Sequence, residues 1–130
     1  MRDGSAVLVG GAVGTGVRLG IERLVPHGDT GFPLSTLVIN IVGAFALGVL
    51  VSRVWPTASS WVKAGLGAGL LGSFTTFSAF AVSLVSLSTA GDWVVALAYL
   101  ALSLALGLGA AALGLRLGSP RRQPIDMVDE

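Results

Sequence analysis

The chain has 130 residues, of which 53% are hydrophobic and 19 are glycine, while only 12% are charged. Soluble domains carry about 25% charged residues, so this sequence lacks the polar surface that water demands. A net charge of +1 argues against nucleic acid as a partner, the absence of cysteine excludes disulfides and thiolate metal centres, and the single histidine, His27, excludes a multi-histidine metal site.

The spacing of the charges divides the chain. Uncharged runs cover 4–17, 30–52, 64–91 and 93–115. A helix that crosses the hydrocarbon core needs about 20 apolar residues. The last three runs are long enough, and the first becomes so if it continues past Arg18 to Leu24. A cleaved signal peptide is disfavoured, because Gly10, Gly11, Gly14 and Gly16 interrupt that first stretch and its positive charge follows the apolar part. The pattern predicts an all-α membrane protein with four transmembrane helices near 4–25, 33–53, 61–89 and 92–115. They make one domain over 1–117, followed by a polar tail over 118–130 rich in Pro and charge.

The punctuation agrees with this division. Pro26, Gly28, Asp29 and Gly31 form the first connection, with His27 as a solvated loop residue, and Pro33 suits the first turn of helix 2. Trp55, Pro56 and Trp61 bracket the second connection at interfacial depth, and residues 89–92 make a tight third turn before Trp93. Short connections make neighbouring helices antiparallel. A β-barrel is excluded because the apolar runs do not alternate with polar residues.

Small residues cluster inside the helices: Gly10 and Gly14 in the first, Gly43, Ala44 and Gly48 in the second, Gly107, Gly109 and Gly114 in the fourth. In lipid, such positions let helix backbones approach closely, and close packing is expected at all of them. Helix 3 is different. At 1.5 Å per residue the run 64–91 would extend about 42 Å, more than the bilayer core of about 30 Å. Near its middle lies Gly72-Ser-Phe-Thr-Thr-Phe-Ser-Ala-Phe80, a poor helix-forming segment. Two readings are open: a break whose freed carbonyls suit a hard cation, or one long tilted helix whose hydroxyls bond back to its own carbonyls. Gly67, Gly69 and Gly72, with Asp92 twenty residues on, imitate a dinucleotide-binding motif, but no strand–helix–strand unit fits in an uncharged membrane run.

The polar residues at depth are mostly neutral donors. Asn40 sits mid-helix 2, with Thr36 one turn earlier on the same face, and Tyr99 and Ser103 lie one turn apart on helix 4. Arg18 can snorkel to headgroups, pair with Glu22 at i+4, or present a cation to a vestibule. No Asp or Glu lies near a helix centre, which counts against proton-coupled cation export. Donors without acids favour an anion, and phenylalanine ring edges, the positive part of the quadrupole, add to this.

Three blocks of the chain resemble the Fluc/CrcB family of fluoride channels: residues 10–18 in helix 1, Thr36 to Phe45 in helix 2 with Asn40, and Gly72 to Phe80 in helix 3. The resemblance spans roughly 6–112 and implies a fluoride-selective channel, not an enzyme, that passively exports cytoplasmic fluoride and protects against its toxicity. It further implies a dimer of oppositely oriented subunits with fluoride pathways along the interface. By the same resemblance, Asn40 donates to fluoride, Phe77 and Phe80 present ring edges, and Thr36, Ser78, Tyr99 and Ser103 supply further polar contacts. Arg18 belongs to the vestibule, and the carbonyls of Gly72 and Thr75 hold a structural, untransported sodium ion. Two positions depart from the family pattern: Ala79 replaces a common Thr, and Gly107 interrupts a serine track. Other classes that remain are a carrier for another small solute and a non-transporting membrane assembly subunit.

Positive charge predicts the orientation. The side that holds both termini and the second connection carries Arg2, Arg53, Lys63, Arg116, Arg121 and Arg122, and the other side Arg23 with at most Arg18. Both termini are therefore expected in the cytoplasm, in the plasma membrane. An inverted dimer needs one subunit of each orientation, so the bias favours an oppositely biased paralogue as partner, with a dual-topology homodimer as the alternative.

Overall fold

A computed structural model describes residues 1–25 and 31–120, and every regular element among them is helical. The expected loop around His27 and the tail from Arg121 onward lie outside the described residues. Four spans, Arg2–Leu24, Leu34–Val54, Ser60–Thr89 and Trp93–Gly118, are long and apolar enough to cross a membrane. The third is in two pieces. We label the helices α1 (Arg2–Leu24), α2 (Leu34–Val54), α3 (60–74), α4 (Phe77–Thr89) and α5 (Trp93–Gly118).

The helix ends follow from local chemistry. α1 stops at Val25, which is extended (φ −90°, ψ 109°), as the residue before a proline prefers. Pro33 sits just outside α2, where its carbonyl accepts the first helical bond from the Leu37 N–H at 3.2 Å. The last turn of α2 widens to π-helical, with the Trp55 N–H donating to the Leu50 carbonyl at 2.9 Å. α3 is also π-helical over Ala64–Leu71. α4 ends in a Schellman arrangement: Asp92 N–H bonds the Leu87 carbonyl and Gly91 N–H the Ser88 carbonyl, with Gly91 at φ +83°.

Two helix pairs form the scaffold: α1 packs along α3, and α2 along α5. Both are seamed by backbone. A Cβ added at Gly10 would strike the Gly65 carbonyl, and one at Gly14 the Leu70 carbonyl. In the other pair, a Cβ at Gly48 would strike the Ala111 carbonyl, and one at Gly114 the Phe45 carbonyl. The expectation of close packing fails at Gly107 and Gly109, whose added Cβ atoms would meet nothing within 4 Å.

Side-chain burial is sparse, because lipid rather than water is the outer solvent. Leu37, Leu87, Ala96 and Tyr99 make a small core against which Phe32, Phe80 and Leu84 pack. Large apolar residues such as Leu8, Val82, Val94 and Leu108 face outward. One end of the bundle gathers the start of α1, the α2–α3 connection and the end of α5. There the Arg2 guanidinium lies 5.7 Å from the Trp61 ring centroid, and Ser60 Oγ donates to Asp3 Oδ1 at 3.2 Å.

Candidate functional site: a clamped helix break and its groove

The third span breaks where its sequence is poorest in helix formers, which removes the alternative of one long tilted helix. Thr75 (φ −77°, ψ 152°) and Thr76 (φ −141°, ψ 115°) are extended. The Thr76 side chain then restarts the helix, its Oγ1 accepting the Ala79 N–H at 3.2 Å as an N-cap. Ser78 Oγ lies 3.2 Å from the same Thr76 hydroxyl.

A break at membrane depth strands backbone groups that lipid cannot satisfy. Asn40 meets two of them. Its Nδ2 donates to the Thr76 carbonyl at 3.0 Å, and its Oδ1 accepts the Thr76 N–H at 2.9 Å. This two-bond ring crosses 36 residues of sequence and closes the site. It leaves one Nδ2 hydrogen uncommitted, since a primary amide carries two. Arg18 meets a third group: its Nε donates to the Ser73 carbonyl at 3.2 Å while Nη1 lies 3.5 Å from Glu22 Oε1. Free snorkelling of Arg18 is thereby corrected, because its guanidinium is held between the break and Glu22.

Two carbonyls lose their usual helical donors. The usual donor to the Gly72 carbonyl, the Thr76 N–H, is diverted to Asn40, and the usual donor to Thr75, the Ala79 N–H, is diverted to Thr76 Oγ1. Gly72 and Thr75 both line an open groove of about 640 Å³. Asn40, Phe77, Phe80 and Ser103 line it too, and among the described residues none that lines it is acidic. Phe77 is 80% exposed on this face of the chain.

From Phe77 an aromatic series runs inward. Its ring lies 5.9 Å from Phe80, Phe80 lies 5.3 Å from Tyr99, and Phe32 meets Tyr99 edge-on at 5.6 Å. Tyr99 is fully buried. The hydroxyls of Ser103, Ser83 and Thr36 surround the Tyr99 hydroxyl. None reaches hydrogen-bond geometry with it, and both Tyr99 Oη and Ser103 Oγ are buried without a partner among the described residues. Unpaired buried hydroxyls are rare in protein interiors.

The structure therefore gathers Asn40, Gly72, Thr75, Phe77, Phe80 and Ser103 along one groove, with Thr36 and Tyr99 behind Ser103. Ser78 touches the site through Thr76, and Arg18 reaches only the Ser73 carbonyl and Glu22. Sequence reasoning missed Thr76, which holds the clamp, and Phe32 and Ser83, which complete the cluster. Ser83 was detectable: Phe80, Leu84 and Leu87 repeat at helical spacing, and Ser83 borders that face. Lys63 and Trp55 also line the groove, and Lys63 had been read only as a topology signal.

The model of the family described as CrcB-like protein, Camphor Resistance (CrcB), matches residues 5–115. The chain belongs to the CrcB family. Among its CrcB relatives is a protein of Deinococcus radiodurans named fluoride-specific ion channel FluC, 44% identical over 117 residues, covering 85% of this chain and 90% of the relative. A FluC of Paracoccus denitrificans is 39% identical over 112 residues, 86% of this chain and 90% of that one. One of Oceanobacillus iheyensis is 38% identical over 120 residues, covering 90% and 92%. Relatives thus align over nearly the whole four-helix chain, with the break and groove inside the matched region.

Proposed function

We propose that this multi-pass membrane protein is a fluoride-selective channel that lets cytoplasmic fluoride leave down its electrochemical gradient. The observation that carries the reading is the groove at the helix break, in a chain whose relatives are named fluoride-specific channels: it offers an amide donor, hydroxyls and phenylalanine edges, and no acid. Fluoride is small and tightly hydrated, so a pore must replace its water with donors set close together. In this reading the free Nδ2 hydrogen of Asn40 is the first such donor. Phe77 and Phe80 turn positive ring edges to the ion. Thr36, Ser78, Ser103 and the unpaired Tyr99 hydroxyl continue the path. A larger halide is rejected because the rings and the clamped backbone leave no room to widen. The channel performs no chemical step, and Arg18 supplies positive potential at a vestibule.

The exposed Phe77 and the one-sided groove favour a second subunit seated on this face, in the opposite orientation. The Gly72 and Thr75 carbonyls, hard oxygens whose usual helical donors are diverted, suit a sodium ion shared with the same pair of a second copy. Such an ion would supply a fixed positive charge and tie the two breaks together. The clustering of Arg2, Arg53, Lys63 and Arg116 near one end favours cytoplasmic termini in a plasma membrane, and a paralogue as the inverted partner.

The test is ion efflux from liposomes that contain this chain alone, with the side of a C-terminal tag mapped in the producing cells. Fluoride efflux without chloride efflux is expected of the channel; equal rates for both ions would remove selectivity from the reading. Tags on one face with little flux are expected of a heteromer, whereas strong flux with tags on both faces would leave a homodimer.

A further inference from the structure

The end of the bundle carries a second pocket, remote in composition from the groove. It has a volume of about 640 Å³ and opens between the last turn of α2 and the last turn of α5. Arg53 enters it from α2 and Arg116 from α5, with Thr57 and Ser119 beside them and Pro56 and Pro120 at its edge. Among the described residues no carboxylate lines it and neither arginine forms an ion pair. Both arginines are exposed and share the lining of one pocket, and an anion seated there would meet two positive charges. The packing of α2 along α5, with Gly48 against Ala111 and Gly118 against Val49, sets the two C-terminal turns and their arginines side by side.

Depth identifies the anion. Both arginines close spans that are otherwise uncharged, Leu34–Val54 and Trp93–Gly118, so they lie where hydrocarbon gives way to headgroups. The same end carries Trp61 under the Arg2 guanidinium, an interfacial aromatic. Guanidinium forks match phosphate oxygens in pairs, and basic pockets between membrane helices hold anionic headgroups. Ser119 Oγ donates to its own helix at Leu115, whereas no hydrogen bond commits the Thr57 hydroxyl among the described residues. Leu117 and Pro120 give the pocket an apolar wall against which a glycerol backbone can rest.

We propose that the Arg53–Arg116 pocket binds the headgroup phosphate of an anionic phospholipid, with Thr57 as an additional donor. Each subunit thereby anchors one lipid in the leaflet next to its termini.

The experiment is native mass spectrometry of the full chain in detergent, titrated with phosphatidylglycerol and, separately, with phosphatidylcholine. One phosphatidylglycerol per chain should be retained over phosphatidylcholine by about tenfold or more, as two cooperating basic side chains imply. Arg53→Gln and Arg116→Gln should each lower that preference about fivefold, and the double variant should abolish it. Arg53→Lys with Arg116→Lys should keep most of it, which separates charge from misfolding. Arg2→Gln removes a positive charge from the same end without touching the pocket and should leave the preference intact. A preference that survives the double Gln variant, or that Arg2→Gln lowers equally, would overturn the site. Displacement of the lipid by millimolar inorganic phosphate would assign the pocket to a free anion and overturn the lipid.

Discussion

The two pieces of the third span have the same surroundings in sequence and opposite jobs in the structure. α3 is glycine and leucine, and α1 lies so close along it that backbone meets backbone at Gly10 and Gly14. α4 is phenylalanine, serine and threonine; it meets α5 through side chains, by way of Phe80 and Tyr99. The first piece has little chemistry to offer, and the second has little packing. Between them two backbone N–H groups leave the helical ladder, that of Thr76 for Asn40 Oδ1 and that of Ala79 for the Thr76 hydroxyl, and Asn40 also donates to the Thr76 carbonyl. Rigidity on one side thus lets donors on the other be held in place, which a channel that strips water from an ion requires.

The most severe way to break this division is to widen the seam. Gly14→Val sets a branched side chain against the Leu70 carbonyl, a backbone atom that cannot rotate aside. Overpacking costs about 1–3 kcal/mol even where side chains can adjust, and more here. Against a total stability of about 5–15 kcal/mol, that should leave no monodisperse protein on size-exclusion chromatography. Gly107→Ala is the control within the chain. Its Cβ meets nothing within 4 Å, so yield and melting temperature should be unchanged. Loss of stability in Gly107→Ala would mean that another subunit covers that face.

The second break acts on the clamp. Asn40→Asp keeps an acceptor for the Thr76 N–H but loses the donor to the Thr76 carbonyl and sets a carboxylate against it. The protein should still fold, since one of the two bonds survives. Fluoride flux should fall to about a hundredth or less, because a donor to an ion, worth about 1.5–3 kcal/mol, is exchanged for a repulsive charge. Liposome efflux measures this, and flux within about threefold of the parent would take Asn40 out of the path. Phe80→Ile sharpens the comparison from the α4 side. It removes the ring between Phe77 and Tyr99, 5.9 and 5.3 Å from them, while keeping an apolar group. Flux should drop about tenfold with little change in melting temperature, and an unchanged rate would make the ring a packing element alone.

Much of the α3–α4 contrast was legible in the sequence, and the reasons for success and failure are physical. Charge spacing revealed the spans because lipid punishes charge at any helix position, whatever the neighbours. The break was only half legible: glycine, adjacent threonines and phenylalanines weaken a helix locally, but one long tilted helix stayed open beside it. Asn40 stood out as an amide that lipid could not satisfy, but its partner was hidden. The partner is backbone, at Thr76, and every residue has a backbone. Which glycines carry a seam was hidden for a related reason: Gly107 and Gly114 look alike in sequence, and only the facing helix separates them. Ser83 and Phe32 escaped because each contributes one atom group to a cluster built from four elements or connections.

The smallest expected effect concerns Lys63, which lies at the far end of α3 from the break yet lines the same groove. By composition it belongs to the scaffold; by position it is, among the described residues, the one charged side chain that lines the groove. An exposed ammonium contributes no binding site of its own, but it raises the local concentration of anions at the mouth. Lys63→Gln should therefore lower fluoride flux about twofold at low ionic strength, where the Debye length is about 30 Å, and leave it equal to the parent near 1 M salt, where it is about 3 Å. Chloride exclusion should not change, because Lys63 lies outside the narrow part near Asn40 and the two rings. The measurement is efflux rate against ionic strength, adjusted with an impermeant salt. A deficit that persists at high salt would place Lys63 in the conducting path itself and move the boundary between scaffold and site one helix turn or more toward the end of the bundle.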